Sequence, residues 1–137
     1  MEHQLNTNIP GILKKYKKIA VVGISDKPYR DSYVVARFMK DHGYRIFPVN
    51  PRLNEVLGEK CYPSLKDIPE QVELVDIFRR PEFVLPIVEE AIEIGAKAIW
   101  MQLTVVNPEA AQKALEAGLE VVMDHCWKIE YMNYFGY

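Results

Sequence analysis

A glycine, a serine and two cations fall within eight residues, Gly23-Ile24-Ser25 followed by Lys27 and Arg30. Together they form the stretch of this chain best suited to holding an anion. Gly23 lets the backbone pass where any side chain would intrude, and Ser25 offers a hydroxyl and a main-chain N–H. The helix expected from Asp31-Ser32 onward begins with unsatisfied N–H groups and about half a positive charge. Cations beside an end that is already positive serve no structural purpose, so they point to a multiply charged anion between them. Arg79 and Arg80 pose the same question at the start of a later helix, where the dipole disfavours cations by about 0.3–1 kcal/mol. An anion between them removes that penalty, and so does pairing with Glu82 in water.

The elements that position these residues can be read from residues 17–51. An apolar run at 19–22 is too short for a helix and is followed by a polar loop, an amphipathic segment at 32–41 and a second apolar run at 44–49. A buried parallel strand, a crossover helix and a second strand give this pattern. Such sheets bind ligands at the carboxyl ends of their strands, which puts the Gly23 loop and Val49-Asn50-Pro51 in the site. The dinucleotide fingerprint is partial. Gly23 lacks the two further glycines of G-x-G-x-x-G, and no acid ends the second strand to meet ribose hydroxyls. Two cations and no acid favour a nucleotide with more phosphate than NAD.

Before this unit, residues 1–8 read as a frayed start. Asn8-Ile9-Pro10 then opens a short helix that packs Ile12, Leu13 and Tyr16 on the sheet. After it, residues 54–64 form a turn-rich excursion, and the second crossover helix shrinks to residues 65–68. Residues 74–78 make a third strand, and Pro81 opens a helix to Ile94, stopped by Gly95 and bent by Pro86 one turn in. A fourth strand at 98–101 ends in Trp100-Met101-Gln102; the first two suit the core and the polar Gln102 suits contact. Asn107-Pro108-Glu109 starts a helix that Gly118 ends, residues 121–123 make a fifth strand, and a short aromatic helix within 124–137 drapes over the sheet edge. The fold class is therefore α/β, a three-layer doubly wound parallel sheet of about five strands in one domain over residues 1–137.

A chain of 137 residues can bury about two-thirds of its unfolded surface without a disulfide or metal. With 26% charged residues and a net charge of −2, nothing resembles a nucleic-acid footprint. No apolar run approaches membrane-spanning length and residues 1–8 lack a signal-peptide core, so a cytoplasmic protein is expected. Cys61, Cys126, His42 and His125 are too scattered for a metal site or redox pair. His125-Cys126 invites a thiolate reading, but neighbours in sequence rarely point the same way. Cys126 as core, Cys126 beside a ligand thiol ready for a mixed disulfide, and His125 bonded in the core all remain open.

Six stretches in order, AVVGIS with KPYRDSY, YRIFPVNP, GEKCYPSL, VDIFRRPE, EEAIEIGAKAIWMQLTVVN and AGLEVVMDHCWKIE, resemble the small CoA-binding proteins of bacteria and archaea. Their Rossmann-like domain is similar to the N-terminal domain of the succinyl-CoA synthetase α subunit. The resemblance covers residues 12–130. Coenzyme A, with a pyrophosphate and a ribose 3′-phosphate, also fits the excess of cations. The resemblance implies CoA or an acyl-CoA across the strand ends. Gly23, Ile24, Ser25, Lys27, Arg30 and Ser32 would lie by the phosphates, Val49, Asn50 and Pro51 by the adenosine, and Phe78, Arg79, Arg80 and Gln102 along the pantetheine arm. The expectation is a carrier, sensor or regulatory module without a catalytic constellation. An NAD(P)-dependent oxidoreductase and a nucleotide-sensing partner subunit of an acyl-CoA ligase are the alternatives. Tyr131, Met132, Tyr134 and Phe135 would form an apolar patch for a second copy or a partner.

Overall fold

The computed structural model describes residues 4–136. In chain order α1 (Ile9–Lys15) leads to β1 (Lys18–Val22), α2 (Asp31–Asp41) and β2 (Arg45–Val49). Two dipeptide strands, β3 (Glu55–Val56) and β4 (Glu59–Lys60), pair antiparallel, and a 3-10 turn at Leu65–Asp67 precedes β5 (Leu74–Ile77). A second 3-10 turn, Pro81–Phe83, runs into α3 (Val84–Glu93); then come β6 (Ala98–Met101), α4 (Pro108–Glu116), β7 (Glu120–Val122) and α5 (Trp127–Phe135).

The main sheet is parallel with order β2-β1-β5-β6-β7. The chain winds from β1 outward to β2, then returns past β1 to β5 and continues the other way. The strand order thus reverses between β1 and β5, where an open α/β sheet forms its ligand crevice. Helices cover both faces, which is why the strands are apolar along most of their length. Ile19, Val21, Leu74, Trp100 and Val122 pack beneath α1, α2 and α5. Ala20, Val22, Val75 and Ile99 pack beneath α3 and α4. The expected three-layer Rossmann-like architecture is the observed one.

The chain's start differs from the expectation. Residues 1–3 lie outside the described residues, but Leu5 bridges Val121 in parallel, and Asn6 Oδ1 accepts from Met123 N–H at 2.8 Å. Residues 5 and 6 are thus bound to β7 rather than frayed, because Asn6 satisfies backbone groups that the last strand leaves open. At the other margin, Tyr62 bridges Val49, and its N–H donates to Pro48 O at 2.9 Å.

Pro86 is the third residue of α3, inside the first turn where no helical hydrogen bond is lost, so the expected bend has no cause. Nor does α5 drape over an edge. It lies on the sheet face beside α1 and α2, anchored by the fully buried Trp127, whose ring meets Tyr44 edge-on at 4.9 Å and stacks on Tyr131 at 5.5 Å. Tyr131 is thereby turned inward, leaving Tyr134 and Phe135 as the outward aromatic residues of the expected patch.

Candidate functional site at the strand ends

β1 stops at Val22 because Gly23 turns the chain with φ +86°. A Cβ at Gly23 would collide with the Phe78 carbonyl oxygen and come within 2.8 Å of Arg79 Cδ. The close approach expected from a ligand is thus made by the chain's own backbone, and the fold itself requires glycine here. Its N–H donates to Val49 O at 2.9 Å, tying the ends of β1 and β2 together.

The loop that follows is held by its own polar groups. Ser25 N–H, expected to face an anion, donates to Ser32 Oγ at 2.9 Å, and Ser25 Oγ accepts from Lys27 N–H at 3.0 Å. Asn50 uses both ends of its amide internally: Nδ2 donates to Ile24 O at 2.8 Å and Oδ1 accepts from Arg52 N–H at 2.9 Å. Ile24 is fully buried, so its side chain serves the core. What remains for an anion is the start of α2, where Arg30 is the N-cap without a side-chain cap, and the exposed Lys27 and Arg30. Asp31, at the first helical position, adds a carboxylate that suits the dipole but competes with a bound anion.

Three cavities converge on the strand ends, and Phe78 lines all of them. One of about 600 Å³ lies over the first loop and α2, with Ser25, Lys27, Arg30, Ser32 and Arg52 in its walls. A second, of about 620 Å³, lies between the ends of β2 and β5, bounded by Val49, Asn50, Pro51, Arg52, Arg79 and Arg80. A third, of about 570 Å³, lies between α2, α5 and the end of β6, reaching Gln102 and Cys126. Each sequence candidate lines at least one of them. The guanidinium carbons of Arg79 and Arg80 lie 4.6 and 5.4 Å from the centre of the Phe83 ring, and Arg80 Nε is 4.0 Å from Glu82 in an exposed pair. That pair is too solvated to hold Arg80 firmly.

Sequence reasoning missed Arg52, an exposed cation bordering two of the cavities. Its signal was available as a third cation directly after Asn50-Pro51. It also missed the strained rim of the third cavity. There Thr104 (φ +74°) and Asp124 (φ +65°) are joined by a 2.7 Å bond from Thr104 N–H to Asp124 Oδ1. A β-branched residue in the left-handed region costs of order 1–3 kcal/mol, and such strain collects at ligand sites. His125 Nδ1 lies 2.9 Å from Met123 O, and Cys126 is a half-buried free thiol. Among the described residues no cluster of His, Cys, Asp and Glu is placed to hold a metal. No helix among them is long and apolar enough to cross a membrane.

One buried polar group stands apart from these cavities. Asp76, in the middle of β5, is wholly buried, and neither carboxyl oxygen has a hydrogen-bond partner among the described residues. Burial pushes its carboxyl well above the ordinary value, the Ile77 amide opposing this less strongly.

Known proteins share this sequence pattern and fold. Residues 17–132 match a family model described as a CoA binding domain. The uncharacterized protein YneT of Bacillus subtilis is 43% identical over 129 residues, covering 94% of this chain and 96% of its own. A hypothetical protein from Pyrococcus horikoshii, of known structure, superposes with a TM-score of 0.90 at 48% identity, covering 92% of this chain and 89% of that one. Acetate-CoA ligase (ADP-forming) II subunit alpha from Pyrococcus furiosus is 39% identical over 82 residues, which is 59% of this chain. The match spans 18% of that subunit's length.

Proposed function

The chain belongs to the CoA binding domain family, and on that premise we propose that it holds coenzyme A or an acyl-CoA across the strand ends. In this reading it serves as a carrier, sensor or regulatory module, with no catalytic constellation of its own. The observation that carries the reading is the meeting of three cavities at Phe78, each bordered by two or more of the cations Lys27, Arg30, Arg52, Arg79 and Arg80. The residues fit the group. Lys27, Arg30 and the first turn of α2 suit the pyrophosphate, and Val49, Pro51 and Arg52 suit the adenosine and its 3′-phosphate. Phe78 and Gln102 suit the arm. When bound, CoA supplies a thiol that carries acyl groups as thioesters.

Because Ser25 N–H is spent inside the protein, the phosphates rely on the first turn of α2 and on side-chain cations. Charge-assisted hydrogen bonds of this kind are worth about 1.5–3 kcal/mol each. Calorimetric titration with CoA tests the reading. The double variant Lys27→Ala/Arg79→Ala is expected to bind at least about tenfold more weakly while melting at the same temperature. Unchanged affinity would place the phosphates elsewhere. A second reading, that the domain senses a nucleotide for a larger ligase assembly, is favoured by the likeness to the Pyrococcus furiosus ligase subunit. A nicotinamide-dinucleotide reading lacks support at the Gly23 loop, where the further glycines are absent.

A further inference from the structure

The third cavity differs from its neighbours in what lines it, and we infer that it is a chamber for the acyl group of a CoA thioester. The inference rests on the CoA reading above and specifies its ligand class. The two cavities over β1 and β2 suit the charged and aromatic parts of a nucleotide. The third, of about 570 Å³, has an apolar wall of Val34, Val35, Leu103, Val105, Ile129 and Met132. Such a wall rewards an acyl chain, which has far more apolar surface to bury than a bare thiol.

Two of these residues are large and apolar yet exposed, Leu103 at 54% and Ile129 at 45%. Bordering a concave apolar space, they mark a surface awaiting an apolar occupant. Met132, unbranched and polarizable, adapts that wall to chains of different shape.

The occupant is attached to something anionic and polar. The cavity shares Phe78, Arg79 and Arg80 with the cation-bearing cavity between β2 and β5, so a molecule can lie in both at once. Gln102 then specifies a carbonyl. Its side chain is 4% exposed, and its Oε1 accepts from Trp127 N–H at 3.1 Å, which fixes the orientation of the amide. Among the described residues its Nε2 has no hydrogen-bond partner, and Gln102 lines this cavity. An amide N–H that opens into the cavity can donate to a thioester carbonyl placed there. A polar donor followed by an apolar wall matches the order of groups in an acyl thioester.

The test is calorimetric titration of the full chain with CoA, acetyl-CoA, butyryl-CoA, hexanoyl-CoA and the thioether S-butyl-CoA, which lacks the carbonyl. The dissociation constant is expected to fall about fourfold per methylene until the chamber is full, the ratio equivalent to about 0.8 kcal/mol per buried CH₂. Val34→Phe should shrink that gain per methylene. Gln102→Glu keeps the acceptor for Trp127 and removes the donor, so it should weaken butyryl-CoA more than S-butyl-CoA. If CoA binds and the acyl forms bind no tighter, the chamber is refuted while the CoA reading stands. If none of them binds, both fall together.

Discussion

At the scale of single residues, the polar side chains of this fold divide by whether the protein has already used them. Ser25, Ser32 and Asn50 are used: the two serines brace the loop after β1 against the start of α2, and Asn50 ties the loop after β2 to it. Arg30, Arg52 and Arg79 are left to solvent or a ligand, and Lys27 is held only by an exposed 4.0 Å pair with Asp26. Asp76 is neither, being buried in a central strand without a partner. An ionised carboxylate there would lack both water and a counter-charge, so folding favours the protonated form. Unfolded, it ionises above its ordinary value of 3.8. The folded state therefore binds a proton that the unfolded state releases. The associated stability is fully present below that value and is lost as pH rises toward the raised folded value. Asp76→Leu should accordingly stabilise the protein more at about pH 7 than at about pH 4. Chemical denaturation at the two pH values checks this, and an equal gain at both would mean the carboxyl titrates normally.

Among the elements, α1 shows how much a short helix depends on its neighbours. Seven residues are too few to be helical alone, and the final carbonyls of the helix need partners. Tyr44, just before β2, supplies one: its hydroxyl donates to Leu13 O at 2.6 Å. Burial, with a smaller contribution from Tyr131, raises that phenol to about 12. Tyr44→Phe should cost about 1–3 kcal/mol by orphaning the carbonyl. Because the folded value is raised, this phenol's contribution is complete below its ordinary value of 10 and is lost as pH rises through about 12. A spectrophotometric titration should show one late-titrating tyrosine disappear in the variant. Elements with a clear period or cap were readable from sequence. The five apolar strands, α2, and α4 with Asn107 Oδ1 accepting from Ala110 N–H are cases. α5 was misplaced because Ile129 and Met132 are apolar on the side opposite Trp127, Tyr131 and Tyr134, so no single face announces itself. The internal use of Ser25 and Asn50 was hidden for another reason. A hydroxyl or amide carries the same letters whether it faces a ligand or a neighbouring loop.

For the whole molecule, the net charge of −2 conceals a local excess of cations at one end of the sheet. That end is where binding should register as global stability. CoA supplied at about a hundred times its dissociation constant should add about 2.7 kcal/mol to unfolding. Dephospho-CoA at the same concentration should add less, and the difference should shrink at high salt, because these cations are exposed and screened. Thermal melts with each ligand measure both effects, and equal shifts would exclude a dedicated contact to the 3′-phosphate. The placement of this end was legible because Gly23 and Asn50 mark the strand termini, whereas the cavities depend on how α5 closes over the sheet. The two margins of the sheet carry one more consequence. Tyr62 occupies the outer side of β2, where Pro48 has no N–H to offer, and Leu5 occupies the outer side of β7. Each rim is thus partly covered among the described residues, which hinders the strand-by-strand recruitment of further copies from which fibrils grow.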